Sequence, residues 1–150
     1  MVTTEMISQA SLFEGLTEEQ LAAIADLCEE VTCQQGEVLF WEGHPAEQMF
    51  ILVEGELTIF VQLSSRSERI TMSVINQPYQ AFGWSGVVPP HAYTASALCE
   101  IDSHILALDG EAFMRLLEQD PAIGCVVHQR IAEVISRRLR NTRLALMKTL

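Results

Sequence analysis

Four histidines and four cysteines are the side chains of this sequence best suited to metal or nucleophile chemistry. His44, His91, His104 and His128 stand far apart, and no H-x-H pair starts a metal set. Cys28, Cys33, Cys99 and Cys125 form no C-x-x-C pair and fit no zinc-ribbon spacing, so they read as thiols buried in a core. No Ser-His-Asp arrangement and no Gly-rich P-loop occurs. These absences predict a protein that is not an enzyme and needs no metal or cofactor. Anion recognition is the chemistry that remains, and it centres on residues 81–97, AFGWSGVVPPHAYTASA. Phe82-Gly83 permits a tight turn, and the Ser-Gly-Val-Val run gives one helical turn. Pro89 and Pro90 stop that turn. A turn with exposed N–H groups facing His91 is an anion cradle in outline. Protonated, His91 can meet a phosphate, but an imidazole lacks the planar, always-charged fork of a guanidinium.

The elements that must hold this segment follow from spacing. Thr17-Glu-Glu-Gln20 is a capping box, with Leu16 and Leu21 at the staple positions. Leu21, Ile24, Ala25 and Cys28 recur at helical spacing, which predicts a helix over 18–28. Strands are expected at 37–41, 49–53, 57–61, 70–75, 93–98 and 104–108, bounded by glycine and polar turns such as Ser64-Ser-Arg-Ser-Glu68. Asp109 caps a helix to about Glu118, and Asp120-Pro121 starts a second that runs to about Met147. Its apolar residues Ile123, Val127, Ile131, Ile135 and Leu139 form a seam at steps of three and four. Seven or eight short strands argue for a sandwich or a roll.

Length and charge bound the function. One domain spans residues 1–150, long enough for a proper core. No apolar run reaches membrane-spanning length and no leader segment is visible, so a cytoplasmic protein is expected. The net charge is −11. Residues 130–150 hold six basic side chains against Glu133 alone, whereas residues 1–129 hold three against nineteen acids. Such an acidic body repels nucleic acid. The terminal arginines read as the solvated face of a helix, and they suit the negative end of its dipole.

Residues 81–97 resemble the phosphate-binding cassette of the cyclic nucleotide-binding domain family, the sensor half of Crp/Fnr-type regulators. Phe13-Glu-Gly-Leu-Thr-Glu-Glu-Gln-Leu21 is similar to the family's leading helix. Gly36-Glu-Val-Leu-Phe-Trp-Glu-Gly43 and Phe50-Ile-Leu-Val-Glu-Gly-Glu-Leu57 are similar to its Gly-Glu turn and central hairpin. The resemblance covers about residues 11 to 145. It implies a mainly β fold: a jelly-roll β-roll of about eight strands with a short N-terminal helix and C-terminal helices, the last one long. The divisions are an arm at 1–10, the leading helix at 11–30, the roll at 31–108 and the C-terminal helices at 109–150.

The resemblance also implies a ligand site at Phe82, Gly83, Trp84, Ser85, Gly86, His91, Ala92 and Thr94. Within it the sequence departs from the family. The ribose-binding glutamate falls on Trp84, the phosphate-binding arginine on His91 and the following hydroxyl residue on Ala92. Trp84 either stacks on a planar ligand or fills the pocket. The expected function is a regulatory ligand-sensing or signalling module that does not hold cyclic AMP or cyclic GMP in the usual way. The alternatives are a structural or protein-interaction domain with a filled pocket, or an atypical cyclic nucleotide receptor. The ligand or protein partner is not named by the sequence. A homodimer through Ile123, Val127, Ile131, Ile135 and Leu139 is expected. No second helix pair follows to enter a DNA groove, so this chain alone is not expected to bind DNA.

Overall fold

The computed structural model describes residues 1–63 and 68–148. The polar loop expected at Ser64 to Glu68 falls almost wholly outside the described residues. Strands β1 (Cys28–Cys33), β8 (Ser103–Asp109), β3 (Gln48–Glu54) and β6 (Ala81–Phe82) form one antiparallel sheet in that order. Strands β2 (Val38–Phe40), β7 (Ser96–Cys99), β4 (Leu57–Gln62) and β5 (Arg69–Ile75) form the other. Helices α1 (Thr4–Ser8) and α2 (Glu18–Ala25) precede the roll, and α3 (Gly110–Gln119) and α4 (Pro121–Lys148) follow it. This is the β-roll with a long last helix that the sequence predicts.

The middle strands of the first sheet, β8 and β3, are buried on both faces. Phe50, Leu52, Ile105 and Ala107 face the inter-sheet core, while Met49, Ile51, Leu106 and Leu108 face the helices. That double burial explains why β3 reads as an unbroken apolar run. The second sheet is covered on one side only. On its edge strand β5, Ile70, Met72 and Val74 remain exposed. Arg69 lies with its guanidinium carbon 4.5 Å from the Phe60 ring centroid.

The capping signals hold atom by atom. Thr17 accepts from the Gln20 N–H at 3.2 Å, and Gln20 accepts from the Thr17 N–H at 2.8 Å. Asp109 accepts from the Ala112 N–H at 2.9 Å, opening α3. Asp120 accepts from the N–H groups of Ala122 and Ile123, opening α4. Helix α2 ends at Ala25 rather than at 28. Cys28 instead pairs with Leu108 across β1 and β8, so the apolar spacing that prolongs the helix in the sequence serves the strand.

Two expectations are corrected. Cys33 and Cys99 are not thiols but form a disulfide, which ties β1 to β7 and so joins the two sheets. Cys28 is half-buried, and burial pushes its thiol up to about 12. Cys125 is exposed rather than buried. The five-residue seam of α4 is also divided. Ile123, Val127 and Ile131 are at most 7% exposed and sit in the helix-side core with Phe13, Phe113 and Leu117. Their apolar face covers their own sheet and is not free to meet a partner. Ile135 and Leu139 are exposed.

Candidate functional site

The 81–97 segment begins as β6, where Phe82 pairs with Phe50 and Ala81 with Ile51. Gly83 then turns the chain at φ 76°, and a Cβ there would lie 2.9 Å from the Phe50 ring. A single 3-10 turn, Trp84–Gly86, follows. Gly86 is pressed on β3 so closely that a Cβ would lie 2.3 Å from the Gln48 carbonyl carbon. The Pro89–Pro90 bond is cis. His91 then reverses the chain at φ 59°, and its Nδ1 lies 3.1 Å from the Ser85 carbonyl oxygen.

The structure brings together Gly83, Trp84, Ser85 and Thr94. They line a cavity of about 130 Å³ with Phe40, Ile59, Tyr93, Ala95 and Arg138. The other expected site residues lie elsewhere. Gly86 and His91 border a separate groove of about 630 Å³, shared with Glu47, Asp109 and Arg115. Ala92 forms a backbone bridge with Pro45 and lines neither space. Phe82 is fully buried against the rings of Phe40 and Phe50, so it belongs to the core.

Three side chains of this cavity carry no signal in the sequence. Phe40 stacks on Tyr93 with ring centroids 3.9 Å apart. Tyr93 donates its hydroxyl to the Gln48 carbonyl at 2.8 Å, and burial pushes its phenol up to about 12. Arg138 reaches in from α4, donates to the Ala81 carbonyl and sets its guanidinium carbon 6.0 Å from the Trp84 ring centroid. Burial pulls the Arg138 guanidinium down to about 10. The Trp84 Nε1–H is buried without a hydrogen-bond partner. Among the described residues no three His, Cys, Asp or Glu side chains gather as a metal set. The arrangement offers recognition rather than bond chemistry: an aromatic wall, donors and one cation.

The family model for the cyclic nucleotide-binding domain matches residues 30–120, from within β1 through the first helix after the roll. The chain belongs to the cyclic nucleotide-binding domain family. It is 25% identical over 138 residues to a CRP-like cAMP-activated global transcriptional regulator of Mycobacterium tuberculosis, covering 92% of this chain and 59% of that protein. It is 26% identical over 135 residues to the cyclic AMP receptor protein of Thermus thermophilus, covering 90% of this chain and 60% of that one. The chain thus spans about three fifths of the length of these curated relatives. A putative cyclic nucleotide-binding protein from Geobacter metallireducens superimposes with a TM-score of 0.80 at 29% identity, covering 93% of this chain and 99% of that one. Fold and relatives together mark a regulatory domain of the cyclic nucleotide-binding family. Among the described residues no helix is long and apolar enough to cross a membrane.

Proposed function

We propose that this chain is a ligand-sensing regulatory module that does not hold cyclic AMP or cyclic GMP in the manner usual for its family. The observation that carries this reading is the cassette cavity. Its volume of about 130 Å³ falls below the roughly 300 Å³ at which drug-sized ligand pockets begin. Trp84 stands where the resemblance puts the ribose-binding carboxylate, and its indole occupies the cavity wall. His91, where the resemblance puts the phosphate-binding arginine, borders the separate groove. Two charge-assisted contacts of about 1.5–3 kcal/mol each are thereby missing, which weakens cyclic nucleotide binding by about a hundred- to ten-thousand-fold. Space remains beside Trp84, which favours a sensor of something smaller over a module whose pocket is filled.

The second part of the proposal is assembly. The exposed end of α4, with Ile135 and Leu139, supports a homodimer in which the same patch meets itself across a two-fold axis. Calorimetry with cyclic AMP and cyclic GMP tests the first part. Neither should bind at tens of micromolar at neutral pH. A micromolar dissociation constant for either would sink the reading and make the chain an ordinary receptor of its family.

A further inference from the structure

Arg138 is a half-buried cation without an acidic partner among the described residues. Among the described residues, ion pairs join Met1 and His104 to Glu30, Arg115 to Glu111 and Arg130 to Glu14. Among the described residues no carboxylate lies within ion-pair distance of Arg138. Its one hydrogen bond goes to the Ala81 carbonyl, although a guanidinium carries five N–H donors. A charge taken from water without a counter-ion is costly, and its lowered guanidinium registers that cost. Among the described residues no acidic side chain lines the cassette cavity, and Arg138 is the charged group on it. The hydroxyls of half-buried Ser85 and exposed Thr94 lie on the same cavity, and each is able to donate or accept. Trp84, on its wall, carries the single buried side-chain nitrogen or oxygen that lacks a partner among the described residues. The guanidinium and the indole N–H can only donate, and among the described residues no carboxylate pairs with either. The volume of about 130 Å³ equals roughly four water molecules of liquid, the size of a compact oxyanion and not of a nucleotide.

From these observations we infer that the cassette cavity takes a small oxyanion, a carboxylate or phosphate group, and that Arg138 of α4 supplies the cation that selects it. This names the ligand class for the sensor proposed above and rests on that reading. The charge that recognises the ligand comes from the last helix rather than from the cassette loop, so binding is tied directly to the position of α4. A guanidinium suits the task because its planar fork meets two oxygens at once, which an ammonium cannot.

The test uses the purified chain labelled with ¹⁵N, titrated at matched ionic strength with inorganic phosphate, with succinate and, as the control, with chloride. The two tryptophans give two indole N–H resonances, one from Trp84 and one from exposed Trp41, the residue after β2. Phosphate or succinate should shift the Trp84 resonance saturably and leave that of Trp41 in place. Whichever of the two saturates identifies the kind of oxyanion. The same anion should raise the melting temperature above the chloride control. Arg138→Lys and Arg138→Gln should weaken the response by roughly ten- to a hundredfold, the loss of one or more charge-assisted contacts. Two variants are used so that one misfolded protein does not decide the result, and the wild-type titration stands by itself. No saturable shift with either oxyanion would overturn the inference, and so would a response that survives in both variants. Cyclic nucleotide added to the same samples separates the two claims. Micromolar cyclic AMP binding would defeat the sensor reading, whereas silence from all three ligands would defeat only the oxyanion.

Discussion

Ile123, Val127 and Ile131 in the first half of α4 are at most 7% exposed, whereas Ile135 and Leu139 in its second half are 40% and 56% exposed. All five follow the same steps of three and four. The difference lies in what stands opposite. The first half lies over α3 and the 3-10 turn Ser11–Phe13, so close that a Cβ on Gly124 would lie 2.5 Å from the Leu117 carbonyl oxygen. Arg130 fastens the same stretch by donating to the Ser11 carbonyl at 2.7 Å. Past Ile131 the domain falls away from a helix of 28 residues, about 42 Å long. Arg138 makes the tie back to the roll at Ala81. An apolar stripe therefore names the face of a helix that will be covered, but not what covers it.

The largest expected effect lies in the buried half. Ile123→Ala removes a side chain that is 1% exposed and leaves a cavity between α3, α4 and the sheet. It should cost about 2–5 kcal/mol in urea denaturation. A cost under about 1 kcal/mol would mean that the first half of α4 is no better covered than the second.

A smaller effect is expected at the junction where α4 begins. Asp120 accepts from the N–H groups of Ala122 and Ile123, and Pro121 occupies the first helical position. Asp120→Ala should lower stability by about 0.5–2 kcal/mol. Asp120→Asn keeps an acceptor and should restore most of that. If both variants match the wild type, packing alone holds the start of the helix.

The same contrast explains what could be read from the chain. Signals that act within one turn were legible: the Thr17–Gln20 box, the Asp109 and Asp120 caps and the unbroken β3 run each depend on neighbours within a few residues. Signals that depend on distant approach were not. Cys33 and Cys99 are 66 residues apart and meet because β1 and β7 face each other across the sandwich. Arg138 meets Ala81 across 57 residues, and no local pattern marks it out from Arg137 or Arg140. Phe82 was misplaced for the same reason. Its motif names a cassette position, but its side chain points into an aromatic core assembled from β2, β3 and β6. Family likeness supplied the fold, and only the folded geometry separated Trp84 and Thr94 from His91.

The smallest expected effect on stability, and the sharpest on assembly, lies at the exposed end of α4. Ile135→Glu and Leu139→Glu alter side chains that already face water, so the folding of the monomer should change by no more than about 0.5 kcal/mol. If this end is the dimer seam, each charge is placed twice across the two-fold axis, where like charges face each other. Arg143, four residues past position 139, offsets part of that penalty for Leu139→Glu, whereas Arg137 and Arg140 line a different groove with Gln129 and Glu133. Sedimentation at micromolar concentration should give twice the chain mass for the wild type and the single chain mass for either variant. Unfolding measured at high dilution, where association no longer adds to stability, should then be nearly the same for all three proteins. A dimer that persists in both variants would move the interface off the exposed end of α4. A large loss of stability in dilute Leu139→Glu would show instead that the second half of the helix is covered by its own chain, as the first half is.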